Sequence, residues 1–118
     1  MTKGILINAE TKTVTEVEFE GLKGMYAVIG CELVEVLQLA KGVDLWVDEE
    51  GRCKNIVKGF MIGNATEPIM GNGLVAGSKN GETADAKVTV EQIAAVVRFV
   101  EFAEGEAPEP EMTFVAME

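Results

Sequence analysis

The chain of 118 residues contains no histidine and a single serine, Ser78. Those gaps exclude Ser-His-Asp and Cys-His constellations, which need an imidazole to take the proton from the attacking group. Any metal site is left to carboxylates and two widely spaced cysteines, Cys31 and Cys53, so no zinc centre and no resident metal or cofactor is expected. No P-loop, kinase signature, nucleophile elbow or Cys-x-x-Cys pair is present. Positive charge is scarce too: 10 Lys and Arg stand against 20 Asp and Glu, a net charge of −10. A surface of that balance repels phosphate backbones, so direct binding to nucleic acid through a basic face is not expected.

Long apolar runs are also missing. The longest candidate is broken by Glu91, Arg98 and Glu101, short of the roughly 20 residues that a membrane helix requires. No charged-then-apolar leader opens the chain, which leads us to expect cytoplasmic residence and reduced thiols, with the cysteines as small buried hydrophobes.

Hydrophobic residues make up 47% of the chain, enough for one domain with its own core. The stretch Cys31–Asn55 organises the reading. Glu32–Leu39 fits a helix or a strand by spacing, but Gly30 precedes it and the Lys41-Gly42 turn follows, so strand is expected. Asp44–Asp48 alternates as a second strand, with Leu45 and Val47 on one face and Trp46 on the other. The run Asp48-Glu49-Glu50-Gly51 lacks the alternating ligands of a calcium loop and reads as a hairpin tip.

Upstream, Lys3–Asn8 and the strictly alternating Thr13–Glu20 form an opening hairpin, its Glu-rich face in water. Gly21–Gly30 places Leu22, Met25, Tyr26 and Ile29 on one helical stripe. Downstream, the 19 residues from Gly63 to Gly81 hold five Gly, three Asn and one Pro, the composition of turns and of backbone that approaches something closely. Gly71-Asn72-Gly73 then leads into a strand Leu74–Lys79, Asn80-Gly81 turns it, and Glu82–Val88 returns. The run Gly71–Gly77 carries only a weak dinucleotide fingerprint, because Ser78–Gly81 stops the helix that such a motif should open. Thr89-Val90-Glu91-Gln92 has the form of a capping box, and Ile93, Val96, Val97, Val100 and Ala103 continue it at helical spacing.

These readings predict an α+β fold: a mostly antiparallel sheet of about five to seven strands packed against two helices, in one domain over residues 3–104. Residues 105–118 form an acidic Glu/Pro tail with a short β-prone end. From Phe99 to Glu118 there are six Glu and neither Lys nor Arg, a pattern open to a solvated surface or to imitation of nucleic acid. Gly71, Asn72, Gly73, Lys58 and Trp46 are the candidate contacts for a ligand or partner, and no catalytic residue is assigned. A carboxylate- and Mg²⁺-dependent hydrolase built on Asp44, Asp48 and Glu50 is the enzymatic alternative.

The segments KGILIN, IGCELVEVLQL, DLWVDEEGRCKN and GNGLVAG, with the late helix, resemble a family of small domains of unknown function. That family is encoded largely by bacteriophages, plasmids and other mobile elements, and the likeness runs from Lys3 to about Val100. The resemblance implies a small accessory protein in a bacterial host cell, acting by occupying a host protein or by sequestering a small signalling ligand. The apolar excess of the last helix adds an expectation of a homo-oligomer.

Overall fold

The computed structural model describes residues 1–50, 57–64 and 67–102. Strand β7 (Gly73–Lys79) runs through its centre, with Leu74, Val75 and Ala76 fully buried. Such a run, apolar on successive residues, can only be satisfied with cover on both faces of a sheet. It has that cover and a neighbour on each side. Strand β1 (Thr2–Asn8) pairs antiparallel with β7 on one flank and β4 (Val43–Asp48) on the other.

Two hairpins extend this centre outward. β1 continues into β2 (Thr13–Phe19), joined by a loop in which the Asn8 carboxamide oxygen accepts from the Glu10 and Thr11 amides. β3 (Val34–Ala40) turns through Lys41-Gly42 into β4, with Gly42 at φ 76°. With the short β8 (Glu82–Ala84) on the far end of β7, the six-stranded sheet reads β2-β1-β7-β4-β3. A second sheet of three strands, ordered β6-β5-β9, consists of β5 (Lys58–Ile62), β6 (Ile69–Met70) and β9 (Val97–Glu101).

Period-two alternation sorts the side chains into two cores. Ile5, Ile7, Leu45, Val47 and Val75 leave one face of the large sheet and meet Phe60 and Ile62 of the small sheet and Ile93 of helix α2 (Val90–Ala94). Phe19, Leu74 and Ala76 leave the other face and meet Met25 and Ile29 of helix α1 (Gly21–Ile29). Three layers result. α1 ends as its flanking glycine suggests: Gly30 adopts φ 85° and donates to the Tyr26 carbonyl at 2.8 Å. Leu22 of the anticipated stripe is 51% exposed, so the buried stripe is narrower than its spacing implies.

The α+β architecture is as expected, with a large antiparallel sheet of six strands inside the five to seven anticipated; among the described residues a second sheet of three strands joins it. The last element departs from its expected helix. The Thr89 capping box forms, its hydroxyl accepting from Gln92 N at 3.1 Å and the Gln92 side chain accepting from Thr89 N at 2.9 Å. The helix nevertheless ends at Ala94 and the chain becomes β9. Val96-Val97-Arg98-Phe99-Val100 is β-branched and aromatic, and strand β5 offers a ladder from Lys58↔Glu101 to Ile62↔Val97. A paired strand outweighs a weak helical period in such residues. Ala103 lies outside the described residues.

Two further corrections concern turns. The strand after Asn80-Gly81 stops at Ala84 instead of reaching Val88, because Asp85 and Ala86 bond instead to Lys3: its amide donates to Asp85 Oδ1, and its carbonyl accepts from Ala86 N, each at 2.9 Å. The acidic run after β4 is not a hairpin tip, since β4 already pairs with β3 and β7 and the next described strand, β5, belongs to the other sheet. Instead Asp48 Oδ1 accepts from Glu50 N at 2.9 Å, and Glu49 N donates to the Leu33 carbonyl. Cys31 is buried against the α1 layer, whereas Cys53 and the tail from residue 103 lie outside the described residues.

Close approach of the small sheet depends on Gly59, where a Cβ would strike the Ile69 carbonyl oxygen and stand 3.0 Å from Met70 Cα, both backbone atoms that cannot swing aside. Gly59→Ala is therefore expected to cost about 2–3 kcal/mol of unfolding free energy, read from urea midpoints, by prying β6 from β5. A loss below roughly 0.5 kcal/mol would mean that the two strands can separate freely.

Candidate functional site

Four of the five residues singled out by sequence gather where β5, β6 and β7 meet. Gly71 N donates to the Lys58 carbonyl at 2.9 Å, which fastens the loop to β5. Asn72 uses both ends of its amide: Oδ1 accepts from Ala9 N at 2.8 Å and Nδ2 donates to the Ile29 carbonyl at 3.3 Å. It thus ties the β1–β2 loop to the end of α1. Gly73 begins β7 beneath Phe60, whose Cζ would be 2.7 Å from an added Cβ. Lys58 points toward Glu10, Nζ to Oε2 3.7 Å, a largely exposed pair worth at most about 1 kcal/mol. Each of these contacts is internal to the fold.

Trp46 stands apart from that group. It sits on the opposite face of the large sheet, half-buried against the α1 layer, so it covers a second layer of its own chain. Its indole N–H is buried without an acceptor among the described residues, a condition that costs about 1–3 kcal/mol.

The acids of the enzymatic alternative do not converge. Asp44 and Asp48 are four residues apart on β4, about 13 Å along a strand. Asp48 is directed at the Glu50 amide. Among the described residues no three carboxylate or thiol groups come close enough to hold one cation.

A different surface carries the unsatisfied chemistry. Among the described strands, β2 and β3 stand at the two ends of the large sheet's strand order, and the three-residue β8 lies off it. β2 presents Glu16 and Glu18, both exposed, and charge of that kind discourages further pairing. β3 carries a single exposed acid, Glu35, among apolar residues: Val36, Leu37 and Leu39 are 46%, 36% and 38% exposed, and Leu33 just before it is 45% exposed. Along one face of β3 runs an apolar groove of about 570 Å³. Leu37 and Leu39 form one wall, Leu45 and Ile62 the floor, and Ile69, Ile93 and Val96 the far wall. Gln38 and Asn64 are the polar residues that border it, and among the described residues no Lys or Arg lines it.

The sequence did carry a signal for this surface. VEVLQLA is apolar on both faces of a strand, a pattern that implies cover on both sides, and the fold places it at an edge instead.

The chain belongs to the family described as Domain of unknown function (DUF3846), whose pattern matches residues 1–101. Neither the curated proteins nor the solved structures yield a match.

Two substitutions test the internal roles assigned above. Asn72→Ala removes the partner of Ala9 N and of the Ile29 carbonyl together, and a loss of about 2 kcal/mol in chemical denaturation is expected. Trp46→Phe deletes an unpartnered donor along with some packing, two effects of opposite sign. Its unfolding free energy should stay within about 1 kcal/mol of the parent; a loss above roughly 2 would show that the indole N–H has an acceptor.

Proposed function

We propose that this chain is a non-catalytic accessory protein of a phage or other mobile element that binds a host protein in the bacterial cytoplasm. In this reading an apolar segment of the partner is gripped in the groove beside β3. The observation that carries it is the groove itself: about 570 Å³, inside the range of sites that seat a small ligand or a few side chains, and almost wholly apolar in its lining. Leu37, Leu39 and Val96 are left in water at a cost that only an occupant would remove.

A protein segment suits this lining better than a charged signalling molecule. Phosphate or carboxylate groups entering the groove would meet Gln38 and Asn64 but no cation among the described residues, and each unpaired charge would lose its hydration. Leucine- or phenylalanine-sized side chains would exchange water for hydrocarbon at about 25 cal/mol for each Å² buried. The phage or plasmid setting comes from the likeness of the sequence segments to mobile-element domains.

A photo-crosslinking amino acid placed at position 39, expressed in bacterial cells, tests the proposal. One dominant host adduct mapping to an apolar peptide is expected, absent when the crosslinker replaces Glu16 on β2 and lost in Val96→Lys. Unchanged far-ultraviolet dichroism would show that Val96→Lys leaves the fold intact. Identical adducts from positions 39 and 16, or an adduct indifferent to Val96→Lys, would overturn it.

A further inference from the structure

The groove accounts for one face of β3 but not for the strand's outer edge, whose backbone N–H and C=O groups have no neighbour beyond β4 among the described strands. Val36 faces away from the groove, opposite Trp46, and is the most exposed large apolar residue of the strand at 46%. We propose that a second copy of this chain covers this edge. The two β3 strands pair antiparallel about a twofold axis through Val36, joining the two large sheets into one.

Charge favours a copy of this chain at this place. Residues 33–43, LVEVLQLAKGV, contain one acid, Glu35, and one base, Lys41, and are neutral within a chain of net charge −10. Two such chains repel one another over most of their surface, and at the β2 edge Glu16 and Glu18 would face their own counterparts. The β3 hairpin lets them approach without that penalty.

Symmetry then selects the register. A twofold axis normal to the sheet keeps each face on its own side, so directly opposed residues must differ by an even number and the axis must pass through a residue. With the axis on Val36, Leu33 opposes Leu39, Val34 opposes Gln38, Glu35 opposes Leu37, and Val36 meets its own counterpart. The exposed residues Leu33, Val36 and Leu39 all find apolar partners, and no acid opposes an acid. An axis on Glu35 would set that carboxylate against itself. One on Gln38 would centre the pair on the irregularity between Gln38 and Ala40. The register also adds the copy's Leu37 and Glu35 to the face that carries the groove, so each groove gains a second wall from its neighbour.

Sedimentation equilibrium of the full chain at tens of micromolar is expected to give the mass of two chains. Val36→Lys, which sets two ammonium groups across the axis, should give the mass of one with unchanged dichroism, while Glu16→Lys on β2 should remain a pair. In a Cys53→Ala background, oxidised Val36→Cys should form a covalent dimer, because opposed residues of an antiparallel pair have Cα atoms about 4.5–5.5 Å apart, within disulfide reach. Val34→Cys, opposite Gln38, should not. A monomeric parent chain, a dimer that survives Val36→Lys, or crosslinking at position 34 in place of 36 would each overturn the proposal. Val36 lies off the groove and Val96 off the edge, so loss of the host adduct and loss of the dimer are separable results.

Discussion

Strand β7 is the constraint on which the other layers depend. Leu74, Val75 and Ala76 have no access to solvent, and burial of a leucine- or valine-sized side chain contributes about 1.5–3 kcal/mol, of an alanine methyl about 0.8. Leu74 and Ala76 hold α1 to one face, while Val75 holds the small sheet and α2 to the other. At both ends of this run the side chains shrink to hydrogen. Gly73 admits the Phe60 ring, and Gly77 lies against the Asp85 carbonyl, so the small sheet and the chain after β8 can close over the centre. A strand of uniform bulk would bury more area but would push both layers away.

Seen from β7, the parts of the fold that could be read in sequence are those fixed by local pattern. Two hairpins, the α1 glycine cap, the Asn80-Gly81 turn with both residues at positive φ, and the Thr89 box all depend on residues within a few positions of one another. The failures share a cause as well. β9 has a helical hydrophobic period, and only β5, some 40 residues earlier in the chain, turns it into a strand. β6 is two residues long and exists only through Gly59. No local pattern announces a partner that distant.

The candidate site shows the same division. A Gly- and Asn-rich segment drew attention to Gly71, Asn72 and Gly73, because such residues allow close backbone approach. The approach they make is to Lys58, Ala9, Ile29 and Phe60 of their own chain. Composition can report that a close contact exists without saying whether its partner is foreign. The β3 surface escaped notice for the complementary reason. Its residues look like core, and whether an apolar strand is central or marginal is decided by sheet order, here β2-β1-β7-β4-β3.

The two edges of the large sheet carry opposite solutions to the same problem. An open edge invites any extended chain, and evolution can close it with charge or assign it a partner. β2 takes the first course through Glu16 and Glu18; β3, with Leu33, Val36, Leu37 and Leu39 in water, does not. A net charge of −10 makes that exposure tolerable, because unselective collisions between copies are repelled everywhere except along a neutral hairpin. In the proposed pairing the acidity of the chain and the apolarity of β3 are therefore parts of one arrangement: the charge would limit contact to one strand, and the strand would supply the surface that contact must bury.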